Sequence, residues 1–267
     1  MANEAKAKCD TKHATDSTCF LVYAHRANTI DVVMADELIA TMKQLEDDPQ
    51  VRGIVLGSSV AGIFSAGLHL PSMIIGADGS TDDLATYWTR VQKMWLALYT
   101  TPLATVAAMP GHCIAGGCML SLACDVRVLV DSSKCKMGLN ETQFGLVAPP
   151  WLARMVVDVA GRRPAETLLQ RGLLVPPEEA LRLGLVDQTV PLSRVAEEAR
   201  ARLAELLAVP DGARASVKQQ LRHEAADALR EHMSEDLDAF VSLVEKPSVQ
   251  QQLISHIDGL KNKDKGK

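Results

Sequence analysis

Two hydrophobic rhythms run along the chain, and one gives way to the other near residue 190. The first apolar run, STCFLVYAHR (17–26), has the content of a strand, and an Asn28-Thr29 turn follows it. Val33, Leu38, Met42 and Leu45 then recur on or near one face at helical spacing, which predicts a helix over 32–45, closed by Pro49. RGIVLGS (52–58) is a short, continuously apolar strand of the buried type. GADGSTDD (76–83) reads as a loop leading into a helix over 84–99.

The apolar centre of the chain is LATVAAMPGHCIAGGCMLSLACDVRVLVD (103–131). It parses as a strand, a Pro110-Gly111 turn, a glycine-started helix over 116–123 and a strand over 126–130. Proline suits the first turn of a helix, so PPWLARMVVDVAG predicts a helix beginning at Pro149 or Pro150 and ending at Gly161. Helices over 164–171 and 177–183 and a last strand in GLVDQTVP follow. Beyond Pro191 the pattern is helical throughout: Val195, Ala199, Leu203 and Leu206 recur at helical spacing, and similar helices continue to about residue 260. Alternating strands and helices, then helices alone, predict an α/β body with an α-helical tail. The expected division is a flexible segment 1–16, a core 17–191, a helical region 192–260 and a charged, solvated tail 261–267.

Composition narrows the function. The chain has 267 residues, 47 % hydrophobic and 23 % charged, as ordinary globular proteins have. A net charge of -5 offers no general attraction to nucleic acid or anionic membranes, and 4 % aromatics leave little for base stacking. No apolar run reaches the ~18 residues of a membrane span. The six cysteines form no C-x-x-C pair, and the spacing of Cys113, Cys118 and Cys124 fits no zinc pattern, so buried thiols and no metal are expected. The first sixteen residues mix Lys6, Lys8 and Lys12 with Glu4, Asp10 and Asp16, unlike a transit or secretory peptide, and the chain does not end in S-K-L.

Candidate chemistry starts with glycine. GSSVAG (57–62) has G-x-x-x-x-G spacing, but Ile63 and Phe64 follow where a phosphate-binding lysine is needed, and GHCIAGG (111–117) is no dinucleotide fingerprint. Both stretches stay open between close-packed turns and backbone N–H groups that face a cavity and stabilise an oxyanion; Gly116 would open a helix, where unpaired N–H groups favour negative charge. Ser65 lies outside G-x-S-x-G, and His69 and His112 read first as packed or solvated loop residues. Glu141 stands out as the sole acid between Asp131 and Asp158, amid apolar residues and turn formers. Such a setting raises a carboxyl pKa and makes a base for neutral pH; a capping or surface acid is the other reading.

Three segments, IVLGSSVAGIFSAGLHL, AAMPGHCIAGGCMLSLACDVRVL and GLNETQFGLVAPPWLARMVVDVAGRRPAETLLQRGLLVPPEEALRLGLVDQTVP, resemble the enoyl-CoA hydratase/isomerase (crotonase) superfamily, and the resemblance runs from Cys19 to the C-terminus. Within it, GLNETQFG and LGLVDQTVP are similar to the mitochondrial Δ3,Δ2-enoyl-CoA isomerase subgroup. The resemblance implies a spiral of β-β-α turns with C-terminal helices that build a homotrimer, an acyl-CoA substrate, no further cofactor and a mitochondrial location. It puts the oxyanion-holding N–H groups at Ala66 and Gly116 and the acyl-CoA path along Ala66, Gly67, Leu68, His69, Leu70 and Asn140. His69 replaces a usual aspartate, and Trp151 either shapes the acyl end or packs in the core.

Hydratase members carry one glutamate after the G-G-C of the central helix and another in the later N-E segment. This chain has Met119 at the first position and Glu141 at the second. Hydration divides its proton transfers between two carboxylates, whereas a 1,3-proton shift needs one. The resemblance thus implies an isomerase, with Glu141 taking a proton from C2 of a 3-enoyl-CoA and returning it at C4, in the β-oxidation of unsaturated fatty acids. The alternatives are a hydratase or other acyl-CoA enzyme of this fold, and a non-catalytic crotonase-like binding protein.

Overall fold

A computed structural model describes residues 8–10, 18–23 and 26–265. The chain winds so that successive turns add one strand to a larger sheet and a shorter one to a smaller sheet. In the larger sheet β1 (Lys8–Asp10) lies beside β2 (Thr18–Tyr23), followed in order by β4 (Gly53–Ser58), β7 (Ala104–Met109), β9 (Val126–Val130) and β11 (Gln188–Val190). All neighbours run parallel except β1, which is antiparallel to β2. The smaller sheet joins β5 (Ile63–Ser65), β8 (His112–Ile114) and β10 (Met137–Gly138), again parallel, and β3 (Thr29–Ile30) pairs with β6 (Gly67–Leu68). Every residue of β7 is buried, which is why that segment reads apolar on both faces.

Helix α1 (Val32–Asp47) starts where Asp31 caps the Met34 N–H at 2.8 Å, and it packs on α2 (Asp82–Tyr99). The short, fully buried α3 (Gly116–Ala123) follows β8. After it come α4 (Pro150–Ala160), α5 (Arg162–Arg171) and α6 (Pro177–Arg182). Helix α7 (Val195–Leu207) lies across β4, β7 and β9, and a Cβ at Gly53 would stand 2.7 Å from Leu203 Cδ1, so glycine there leaves room for the Leu203 side chain.

Helices α8 (Asp211–Glu231), α9 (Met233–Val244) and α10 (Pro247–Lys265) complete the described chain. Two cations of α8 tie it to the body. Lys218 donates to Leu103 O at 2.9 Å and to Asp125 at 3.0 Å. Arg222 donates to Asp125 and also to Tyr99 O and Ala123 O, so one guanidinium takes carbonyls from the C-terminal ends of α2 and α3.

The expected helices fall close to where the periodicity puts them, α2 beginning at Asp82 two residues before its expected start, with three further corrections. Residues 8–10, expected in a flexible segment, form β1, because the free edge of β2 offers unpaired backbone groups to a passing strand. Residues 261–265, expected in a solvated tail, continue α10. Helix α5 begins at Arg162, two residues before the expected start, with Pro164 in its first turn. The remaining residues of the leading segment lie outside the described part.

Candidate active site

The site is built where β5, β6 and the start of α3 meet. Ser65 is fully buried; its Oγ donates to Asn28 O at 2.7 Å and accepts the Gly67 N–H at 3.1 Å, which makes it a lock for the turn rather than a nucleophile. Gly67 has φ +97°, and a Cβ there would stand 2.8 Å from Ala115 Cβ and 3.1 Å from Gly116 N. Backbone therefore packs directly against backbone at this point. Ala115, a non-glycine residue at φ +50°, turns the chain sharply into α3, and the first helical bond runs from Met119 N to Ala115 O at 3.0 Å. The N–H of Gly116 thus belongs to the first turn, which has no acceptor within the helix.

The N–H of Ala66 is not the donor the resemblance implied. It is bonded to Ala27 O at 3.0 Å, so it faces the Ala27–Asn28 turn. Along β6 the direction of the backbone alternates: His69 N donates to Ile30 O at 2.9 Å, on the β3 side, so the Leu68 N–H points the other way. On that other side lies Gly116, where a Cβ would come 3.2 Å from Leu68 N. Leu68 of β6 and Gly116 at the start of α3 line a common cavity with Glu141.

Glu141 follows β10 as the first residue of a 3-10 turn, Glu141–Phe144. The turn is fastened to the end of α5: Thr142 Oγ1 donates to Leu169 O at 3.0 Å and Gln143 Nε2 to Gly172 O at 2.8 Å. Burial pushes the Glu141 carboxyl up to about 7, opposed in part by a hydrogen bond from its own backbone N–H. The cavity before it measures about 20 Å³, with Met119 on α3, Trp88 on α2 and Phe240 on α9 among its walls. Glu141 is the sole ionisable side chain among the described residues lining it.

Other predicted residues sit nearby without lining the cavity. His69 Nδ1 is 2.8 Å from Ser72 Oγ, Leu70 opens a 3-10 turn, and Asn140 precedes the Glu141 turn without a side-chain capping bond. His112 accepts the Lys136 N–H at 3.2 Å. Trp151 is buried in an aromatic cluster, its ring centre 4.7 Å from that of Trp95 and 6.2 Å from that of Trp88. Cys113, Cys118 and Cys124 are buried thiols whose pKa burial pushes up. Among the described residues no group of three or more His, Cys, Asp or Glu is placed to hold a metal ion, and no helix is long and apolar enough to cross a membrane. Trp88 and Phe240 went unread in the sequence, since residues from two distant amphipathic helices carry no local sign that they meet.

Paired sheets wound in β-β-α turns, with a glycine-bounded backbone turn facing the start of a buried helix, define a protein of the crotonase fold. The chain belongs to the enoyl-CoA hydratase/isomerase family, whose model matches residues 20–266. It is 41 % identical over 234 residues to the human protein named enoyl-CoA delta isomerase 1, mitochondrial, covering 88 % of this chain and 76 % of that one. The rat protein of the same name is 39 % identical over 236 residues, 88 % of this chain and 81 % of that one. The crystal structure of human mitochondrial delta3-delta2-enoyl-CoA isomerase superposes with a TM-score of 0.90 at 38 % identity, over 93 % of this chain and 95 % of that one. The enoyl-CoA hydratase from Bacillus halodurans shares the fold, with a TM-score of 0.82 at 23 % identity over 91 % and 98 % of the two chains.

Proposed function

We propose that this chain is a Δ3,Δ2-enoyl-CoA isomerase that moves the double bond of a 3-enoyl-CoA into conjugation with the thioester. The observation that carries the reading is a cavity with one carboxylate, Glu141, and a thioether, Met119, where a second acid would serve hydration. The thioester oxygen binds between the N–H groups of Leu68 and Gly116, where negative charge develops as C2 loses its proton. Each such donor contributes about 10²–10³ in rate. Ionised Glu141 takes the C2 proton, the electron pair left at C2 spreads onto the thioester oxygen and across the C3–C4 double bond to C4, and protonated Glu141 delivers the same proton to C4. The double bond then lies between C2 and C3. No electrons leave the substrate, so the reaction calls for no redox cofactor, and coenzyme A enters as part of the substrate.

Further parts of the reading rest on the relatives. A mitochondrial location is inferred from their names, and the β-oxidation of unsaturated chains is the process that would supply 3-enoyl thioesters. A homotrimer built through the helical region accords with the exposed aliphatic side chains Leu192, Val209 and Val217.

The test follows conjugated product by ultraviolet absorbance with 3-hexenoyl-CoA. Wild type is expected to convert it, and Glu141→Gln to lose roughly 10²–10⁴ in kcat. An equally active variant would overturn the assignment of the base, and hydration of 2-enoyl-CoA at a comparable rate would favour a hydratase.

A further inference from the structure

A backbone amide stabilises a developing oxyanion only if it is held on the oxygen, so what aims the Leu68 N–H matters as much as the N–H itself. Leu68 ends β6, a strand of two residues, and its partner β3 is just as short. Two such strands make too few ladder bonds to fix an orientation by themselves. Each end of the pair is fastened by a buried side chain instead.

At the leading end stands Asn28, fully buried, directly before β3. Its Nδ2 donates to Ser58 Oγ, at the end of β4, at 2.7 Å and to Phe64 O, in β5, at 2.9 Å. Phe64 O can only accept, so this position needs a donor, which an ionised aspartate could not supply. The main chain is tied as well: Asn28 O accepts from Ser65 Oγ, and Ala27 O accepts the Ala66 N–H. Ala27 and Asn28 hold φ +58° and +46°, a left-handed conformation disfavoured for residues with a side chain. At the trailing end stands Tyr87 of α2, also buried. Its hydroxyl donates to Ile30 O at 2.8 Å and accepts the His69 N–H at 3.1 Å, bridging the last residue of β3 and the residue after Leu68. Burial pushes the Tyr87 phenol up, so the bridging hydroxyl keeps its proton at neutral pH.

We propose that Asn28 and Tyr87 are positioning residues that clamp the β3–β6 pair from its two ends and so hold the Leu68 N–H on the thioester oxygen. The proposal rests on the acyl-CoA isomerase reading. Neither residue is among those lining the cavity, so both act through the backbone they fasten. Helix α2 thereby contributes twice, Trp88 to the cavity wall and Tyr87 to the backbone behind it. With the clamp loosened the cavity keeps its walls and its base, but the amide is no longer held on the oxygen. The loss is greatest where that oxygen carries most charge, so it falls on turnover more than on binding.

The test uses the full-length protein and two variants: Tyr87→Phe, which removes one hydroxyl, and Asn28→Gly, which keeps the left-handed backbone and deletes the side chain. Turnover of 3-hexenoyl-CoA is followed, and calorimetry compares hexanoyl-CoA with hexyl-CoA, a thioether in which CH2 replaces the carbonyl. Wild type is expected to prefer the thioester roughly three- to tenfold, the worth of about one net hydrogen bond. In both variants that preference should shrink toward one while the affinity for hexyl-CoA holds. In Tyr87→Phe kcat should fall roughly tenfold, short of the 10²–10³ expected for losing a donor outright, with the pH midpoint set by Glu141 unmoved. An unchanged kcat and thioester preference would overturn the clamp. So would an equal weakening of both ligands in step with a lower Tm, which would make the role purely structural, or a wild type that binds both ligands alike. Should Asn28→Gly not fold, Tyr87→Phe decides alone. If wild type isomerises nothing, the isomerase reading fails, and the thioester preference with its loss in the variants still decides whether these residues aim the amide.

Discussion

The residue with most to reveal is Glu141, because its function and its cost share one origin. Burial holds its carboxyl near 7, so kcat/KM is expected to rise with pH through about 7 as the base ionises, and a pH–rate profile checks this. The same elevation has a sign for stability. A carboxyl raised in the folded state above its ordinary value of 4.5 binds its proton more tightly than the unfolded chain does. Its contribution is therefore fully present below about 4.5 and is lost as pH rises through about 7. Glu141→Gln, with no carboxyl to ionise, should match wild type near pH 4 and exceed it above pH 7 by up to about 3 kcal/mol, read as a rise in Tm of several degrees. Gly116 offers a complementary test. In Gly116→Ala the new methyl would lie 3.2 Å from Leu68 N and 2.9 Å from the flexible tip of Ile30, filling the space between two donors while leaving the fold intact. A loss of about 10²–10³ in kcat, with an unchanged far-ultraviolet spectrum, is the expected outcome.

At the scale of elements, legibility in the sequence followed length. Helices α1 and α2 declared themselves because their apolar positions repeat over four or more turns. Strands β5, β8 and β10, and the separate pair β3 and β6, are two or three residues long, too short for any period, so the smaller sheet and that pair were invisible although they carry the site. That blindness explains the error at Ala66. Which amide of F-S-A-G-L faces the cavity is decided by the pairing of β6 with β3, and pairing partners are not written in a five-residue motif. Glu141 was legible because a lone acid amid apolar residues is conspicuous, whereas its fastening to α5 through Thr142 and Gln143 was not. The tie between α8 and the body has a measurable worth. Arg222→Met removes the donor that serves carbonyls at the ends of two helices and leaves Asp125 with Lys218 and the Thr105 N–H. A loss of about 2–4 kcal/mol in denaturant unfolding is expected, with kcat little changed, since Arg222 is not among the residues lining the catalytic cavity.

The molecule as a whole separates framework from closure. The spiral of sheets and α3 fixes the backbone amides, while α9, late in the chain, supplies Phe240 to the roof of the same cavity. Chemistry and enclosure thus come from segments about a hundred residues apart, and a proposed trimer adds a third level at which enclosure can be tuned. Sedimentation of the wild type is expected to give three times the chain mass of 28.8 kDa.

A cavity of about 20 Å³ around a single carboxylate has an isotopic consequence. A substrate seated there would displace solvent from beside the acid, so the hydrogen that Glu141 lifts from C2 is expected to return at C4. A substrate deuterated at C2 should yield product carrying the label at C4, and a reaction run in heavy water should pick up little of it. The molecule would keep a memory of which atom it moved, and mass spectrometry of the product can read that memory directly.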